Sequence, residues 1–86
     1  MKKIELENGN YMIINHLDKE ETKIYRKCYF DINNHYHRLN GPAVICYYRS
    51  GEIRGEHYWI NGKSYSKEEY NKKININRNL KLLNKK

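Results

Sequence analysis

Residues 37–65, HRLNGPAVICYYRSGEIRGEHYWINGKSY, alternate apolar runs with turn signals at hairpin spacing, a pattern that few architectures besides an antiparallel sheet accept. Gly41 and Pro42 open the unit. Glycine supplies a positive φ, and proline fixes φ while removing an amide donor, so a ladder strand begins only after them. Residues 43–48, AVICYY, are small, β-branched or aromatic and read as that strand. Arg49-Ser50-Gly51-Glu52 is a polar break of hairpin length. Residues 53–60 return as a second strand, and Asn61-Gly62, the strongest two-residue hairpin signal, turns the chain into a third.

The same residues carry a resemblance. HRLNGPAVICYYRSGE, followed by HYWINGKSYSKEEY, resembles the short β-hairpin repeats of the MORN type. The nearest variant is the one common in phage and giant-virus proteins and in YwqK-like antitoxin components, where a GPA step, an acidic-glycine turn and a W/Y-x-x-(N/D)-G-K turn recur. Gly41-Pro42-Ala43 matches the first of these and the run from Tyr58 to Lys63 the last, whereas Ser50-Gly51 stands in place of the Asp-Gly of the middle turn. The resemblance spans roughly a third to a half of the chain and implies a structural or binding unit more than an activity.

A chain of 86 residues forms one small domain with a limited core and little room for a deep catalytic pocket, which favours a binding module acting at its surface. Nine tyrosines and one tryptophan supply much of the apolar area, and strands accommodate such amphipathic rings. No run approaches the roughly 18 apolar residues of a membrane span, and no apolar core follows MKKIE, so the expectation is a soluble, cytoplasmic protein with no membrane partner. Cys28 and Cys46 form no CxxC pair, and the reading is two free thiols in a reducing compartment. Abundant Asn, Lys, Ile and Tyr match the bias of an AT-rich genome, which leans toward a virus, a phage or a low-GC bacterium.

The net charge of +7 is unevenly placed. Residues 1–70 carry 11 basic and 10 acidic side chains, whereas residues 71–86 carry Lys72, Lys73, Arg78, Lys81, Lys85 and Lys86 against no acid. The chain therefore divides into a nearly neutral body with the start of a helix, residues 1–70, and a basic tail, residues 71–86. A nucleic-acid footprint would be a property of the tail.

Along the rest of the chain, residues 2–7 alternate Ile4 and Leu6 with charged residues, Asn8-Gly9 turns, and residues 11–14 return, making a first hairpin over 2–15. Residues 16–21 read as a charged loop. Residues 22–30 form a strand with Ile24, Arg26, Cys28 and Phe30 on one face and Tyr25, Lys27 and Tyr29 on the other. Asn33-Asn34 supplies the next turn. YFDINNHYHR, from Tyr29 to Arg38, weakly repeats YWINGKSYSK, from Tyr58 to Lys67, so each unit needs its neighbour to bury a face. Ser66-Lys67-Glu68-Glu69 fits a capping box that starts a helix. Tyr70 and Ile74 share one of its faces, but repeated asparagines weaken it, and the prediction is helix to about Lys73 with a further turn near Leu80. Leu80, Leu82 and Leu83 are expected to cover a sheet face.

Few residues suggest chemistry. His35 and His37 would project from one strand face, yet a metal needs a third ligand, and neither His57 nor the cysteines are brought there by spacing; no metal and no cofactor is expected. No nucleophile elbow, phosphate loop or H-E-x-x-H motif is present, and no catalytic residue is assigned. Tyr47, Tyr48, Arg49, Arg54, Tyr58 and Trp59 are the candidate protein-binding surface, in a composition typical of interface hot spots. The alternative for Arg38, Arg49 and Arg54 is pairing with Glu52 and Glu56 across the hairpin. The alternative surface is nucleic-acid binding by Lys72, Lys73, Arg78, Lys81, Lys85 and Lys86 with the aromatic face.

The sequence thus predicts a mainly β protein, a small antiparallel meander of five or six strands with a C-terminal helix, that acts without catalysis by binding another protein. A viral or phage stoichiometric inhibitor of a host defence factor is the specific form this reading takes, beside a nucleic-acid-binding protein and an antitoxin-like partner. Because only the H-x-H pair argues for metal, chelation should leave the thermal midpoint unchanged; a large fall with chelator, measured by scanning fluorimetry, would overturn this.

Overall fold

The computed structural model describes residues 1–16 and 23–84, with the side chains of its helix described as far as Asn75. Six strands, β1 (Lys2–Glu5), β2 (Tyr11–His16), β3 (Ile24–Phe30), β4 (Val44–Tyr47), β5 (Ile53–Ile60) and β6 (Lys63–Tyr65), lie side by side in chain order, every neighbouring pair antiparallel. One helix, α1 (Lys67–Asn84), follows. The meander predicted from turn spacing is the fold. The predicted charged loop over residues 16–21 falls almost wholly outside the described residues.

Left-handed backbone sits where the turn signals placed it. Asn8 and Gly9 adopt φ of 59° and 80° between β1 and β2, and Asn61 and Gly62 adopt 48° and 85° between β5 and β6. Such consecutive positive φ values match the twist of the strands they join, and Asn and Gly reach them at least cost. Gly51, at φ 96°, closes a three-residue loop in which its amide donates to the Tyr48 carbonyl (2.9 Å) and the Tyr48 amide donates to Glu52 (2.8 Å). Asn34, at φ 67°, repeats this geometry: its amide donates to the Asp31 carbonyl (3.0 Å) and the Asp31 amide to His35 (2.8 Å).

The central strand has a form the sequence did not announce. Tyr36 bridges Phe30, the His37 amide donates to Tyr29 (2.9 Å), and the Arg38 amide donates to Trp59 (3.1 Å). The chain thus enters the sheet between β3 and β5 ahead of Gly41-Pro42, leaves it over residues 39–42, and re-enters at Ala43, whose carbonyl accepts from Tyr29 (2.7 Å) and whose amide donates to His57 (2.9 Å). Proline, which has no amide to give a ladder, lies in the excursion, and Ala43 directly after it is fully buried. Arg38 folds back over the excursion. Its guanidinium donates to Pro42 carbonyl oxygen (3.2 Å) and Asn40 Oδ1 (3.1 Å) and covers the Tyr29 ring at 4.0 Å. A side chain at Gly41 would stand 3.0 Å from that guanidinium.

The capping box forms as predicted. The Glu69 amide donates to Ser66 Oγ and the Ser66 amide to Glu69 Oε1, both at 3.1 Å. The helix then runs without a break to Asn84, well past the predicted end near Lys73. The penalty of each asparagine is a fraction of a kcal/mol, about 0.7 at most, and once the first turn is nucleated each added residue gains a hydrogen bond. Among the described residues Tyr70 fixes the helix to the sheet: it is buried, its ring packs on Tyr58 at 4.7 Å, and its hydroxyl donates to Arg38 carbonyl oxygen (2.7 Å) and accepts from the Gly41 amide (3.1 Å). The side chains of Leu80, Leu82 and Leu83, expected to perform this docking, lie outside the described residues. Among the described residues Cys28, Ala43, Val44, Ile45, Ile60 and Tyr70 are the buried core.

Tyr70→Phe keeps the ring on Tyr58 and removes only the hydroxyl, leaving a carbonyl and an amide of the excursion without their partner. We expect a loss of about 1–3 kcal/mol in urea unfolding. A loss indistinguishable from zero would show that solvent replaces the hydroxyl.

Candidate functional site: an aromatic row across the far face

Strand alternation assigns Met12, Tyr29, Ala43, Ile45, Tyr58 and Tyr65 to the face on which α1 packs, and Tyr11, Cys28, Phe30, Val44, His57 and Trp59 to the far face. Four rings touch in sequence across the far face. Tyr11 and Phe30, directly paired between β2 and β3, stack at 4.9 Å with planes 14° apart. Phe30 meets Tyr36 at 5.1 Å, and Tyr36 meets Trp59 of β5 at 5.2 Å. Lys3 of β1 places its ammonium 4.6 Å from the Tyr11 ring and ends the row on that side. Each ring is half-buried, so the row is shared between sheet packing and solvent. Ring pairs of this kind contribute about 0.5–1.5 kcal/mol beyond their area.

The Asp31 turn sets the spacing between Phe30 and Tyr36. Asp31 Oδ1 accepts from the amides of Asn33 and His35, both at 2.9 Å, and Oδ2 lies 3.3 Å from His35 Nδ1. Asn34 Oδ1 accepts from the Tyr11 hydroxyl at 2.6 Å, which ties the turn to the first ring. At the other end, β6 is too short to cover all of β5, and an open, shallow hollow of about 800 Å³ lies beside Tyr36, His57, Trp59 and Ser64.

The six residues predicted as a protein-binding surface do not share one. Trp59 is in the row. Tyr58 is on the opposite face against Tyr70, and Tyr47 is half-buried with Lys27 Nζ at 5.8 Å from its ring. Tyr48 and Arg49 are exposed at the β4–β5 turn, and Arg54 is exposed on β5. Among the described residues Arg38, Arg49 and Arg54 form no ion pair with Glu52 or Glu56. Tyr11, Phe30 and Tyr36 were missed, because their meeting depends on strand register and on the early entry of Tyr36 into the sheet. The signal available was parity: Tyr11 and Phe30 lie on faces that the hairpin register superposes.

Of the basic set, Lys72 and Lys73 are exposed on α1, and Lys73 Nζ lies 5.2 Å from the Tyr65 ring, which Lys63 also approaches at 5.6 Å. The side chains of Arg78, Lys81, Lys85 and Lys86 lie outside the described residues. The histidines separate: His35 joins Asp31, His37 Nδ1 accepts from the Asn61 amide at 3.0 Å, and His57 is on the far face. Among the described residues no group of three or more His, Cys, Asp or Glu side chains is placed to hold a metal ion, and no helix is long and apolar enough to cross a membrane. Both cysteines are free, with Cys28 buried and Cys46 half-buried. Burial pushes the Cys28 thiol up, with the positive charge of Arg26 opposing it in part. No protein-family model matches the chain, and neither a curated protein nor a solved structure matches it.

Two outcomes follow from these environments. Alkylation of the native protein by iodoacetamide, followed by peptide mass spectrometry, should modify Cys46 well before Cys28; equal rates would show that the far face opens readily. For Asp31, burial raises the carboxyl pKa, but the amides of His35 and Asn33 and the charge of His35 outweigh it and hold the pKa below the usual carboxylate value. The stability this contributes is fully present above the unfolded carboxylate pKa and is lost as pH falls through the lower folded value. Asp31→Asn should flatten the acid limb of a stability-versus-pH curve, whereas an unchanged limb would remove the carboxylate from the account.

Proposed function

We propose that this chain is a non-enzymatic binding module that recognises another protein through the aromatic row of Tyr11, Phe30, Tyr36 and Trp59. The observation that carries this reading is the unbroken contact of four partly exposed rings on the face away from α1. Rings held by their neighbours lose little conformational entropy on binding, and Tyr and Trp dominate interface hot spots. The resemblance to MORN-type hairpin repeats, the small size and the AT-rich bias support a specific form: a viral or phage stoichiometric inhibitor of a host defence protein, acting in the host-cell cytoplasm. An antitoxin-like partner protein would use the same surface.

Lys63 and Lys73 flanking Tyr65 favour a second reading, in which the α1–β6 side binds nucleic acid. The two readings separate by substitution. Affinity capture from the native host, quantified by mass spectrometry, should enrich a protein that Trp59→Leu releases while glutamine at Lys63, Lys72 and Lys73 leaves it bound. A hot-spot ring is worth about 2 kcal/mol or more, roughly a 30-fold weakening. Retained capture by a folded Trp59→Leu variant, with loss in the glutamine variant and after nuclease treatment, would replace the protein reading by the nucleic-acid one.

A further inference from the structure

The sheet has two edges of different character. On one side, β6 has three residues and gives way to α1, and the exposed part of β5 beyond it carries a register irregularity against β4. Bulges and short strands of this kind block the addition of further strands. On the other side, β1 pairs with β2 in unbroken register, Lys2 with Ile14 through to Glu5 with Tyr11, and among the described residues it has no second neighbour.

The direction of its backbone groups follows from one bond. The Leu6 amide donates to the Asn10 carbonyl at 2.8 Å, so Leu6 points its backbone toward β2. Alternation turns Ile4 and Lys2 the same way and leaves the N–H and C=O groups of Lys3 and Glu5 directed outward. Lys3, Glu5 and Leu6 are exposed and Ile4 is half-buried.

The side chains on this edge are self-complementary. We propose that β1 is a dimerisation edge on which a second copy of this chain docks, antiparallel, about a two-fold axis through Ile4. In that register Lys3 faces Glu5 of the second copy and Glu5 faces its Lys3, so opposite charges meet twice at the positions that exchange backbone hydrogen bonds. Ile4 meets Ile4 at the closer, non-bonded position, and Lys2 meets Leu6. A slip of two residues sets Lys3 against Lys3 or Glu5 against Glu5, so charge selects the register. Lys3 and Glu5 lie on the Tyr11 face, and the dimer therefore brings two aromatic rows end to end on one continuous sheet. This inference stands independently of what the row binds. Two strands this short bury less than the roughly 1,200 Å² of a stable interface, so the dimer depends on concentration.

Sedimentation velocity of the full chain at low salt, from about 10 µM to about 1 mM, tests it. The wild type should shift from monomer toward dimer, and Lys3→Glu and Glu5→Lys should each weaken the dimer at least tenfold. The mixture of these two variants, and the double variant carrying both changes, should restore it, because each again sets opposite charges face to face. Circular dichroism of each single variant checks the fold, and restoration on mixing cannot arise from a folding defect. Amide exchange should slow with concentration at Lys3 and Glu5 and stay constant at Ile4. A monomer at every concentration, a dimer indifferent to these substitutions, or a mixture no better than its components would overturn the proposal. Protection of Lys3 and Glu5 by some other protein while the chain itself stays monomeric would overturn it as well.

Discussion

Among the described residues, the Tyr70 side chain ties the helix to the sheet. Tyr70 donates to the Arg38 carbonyl and accepts from the Gly41 amide, groups that lie at the start of and within the short excursion by which the chain leaves the sheet before β4. Backbone polar groups outside a ladder need partners, and beside this excursion the Tyr70 phenol supplies a donor and an acceptor at once. Arg38 satisfies the excursion from within, through Pro42 and Asn40, while shielding Tyr29. The run HRLNGPA is thus explained by local need: glycine for close approach to Arg38, proline where no ladder bond exists, and alanine for the tightest point of the core.

A helix over one face of a single sheet leaves the other face to be stabilised by its own side chains. Here the far face is held by rings in lateral contact, with Cys28 and Val44 buried beside them. Tyrosine suits this position because its ring packs against neighbours while its hydroxyl reaches water or a turn, as Tyr11 does with Asn34. The arrangement combines packing and exposure in the same residues. A surface that is both rigid and partly apolar suits the binding role proposed above, to which the body's near-neutral charge would leave aromatic area as the main contribution.

Much of the fold was legible in the sequence, and the reason is that turn chemistry is local. Asn8-Gly9, Ser50-Gly51 and Asn61-Gly62 each mark a hairpin because left-handed backbone is affordable to few residues, and Ser66 with Glu69 marks a helix start because the pair satisfies its own amides. The candidate site was less legible. Tyr58 and Trp59 are adjacent in the chain, and alternation allows only half of such rings to reach solvent, but which of them does so was not legible: the pleat sends one to Tyr70 and the other to Tyr36. The extent of α1 was underestimated, since a residue-by-residue propensity penalty is small against continued hydrogen bonding.

The sequence by itself determined where the chain turns, which segments are strands, and that the helix begins after Ser66, because each depends on interactions among residues a few positions apart. Only the tertiary structure decided which rings meet, that Tyr36 enters the sheet ahead of Gly41-Pro42, and that Tyr70 closes over the excursion. Several of those contacts join residues far apart in the chain, such as Tyr11 with Phe30, 19 positions away, and Tyr70 with Arg38, 32 positions away. Their partners are selected by strand register and by the path of the central strand, and these exist only once the whole sheet is assembled.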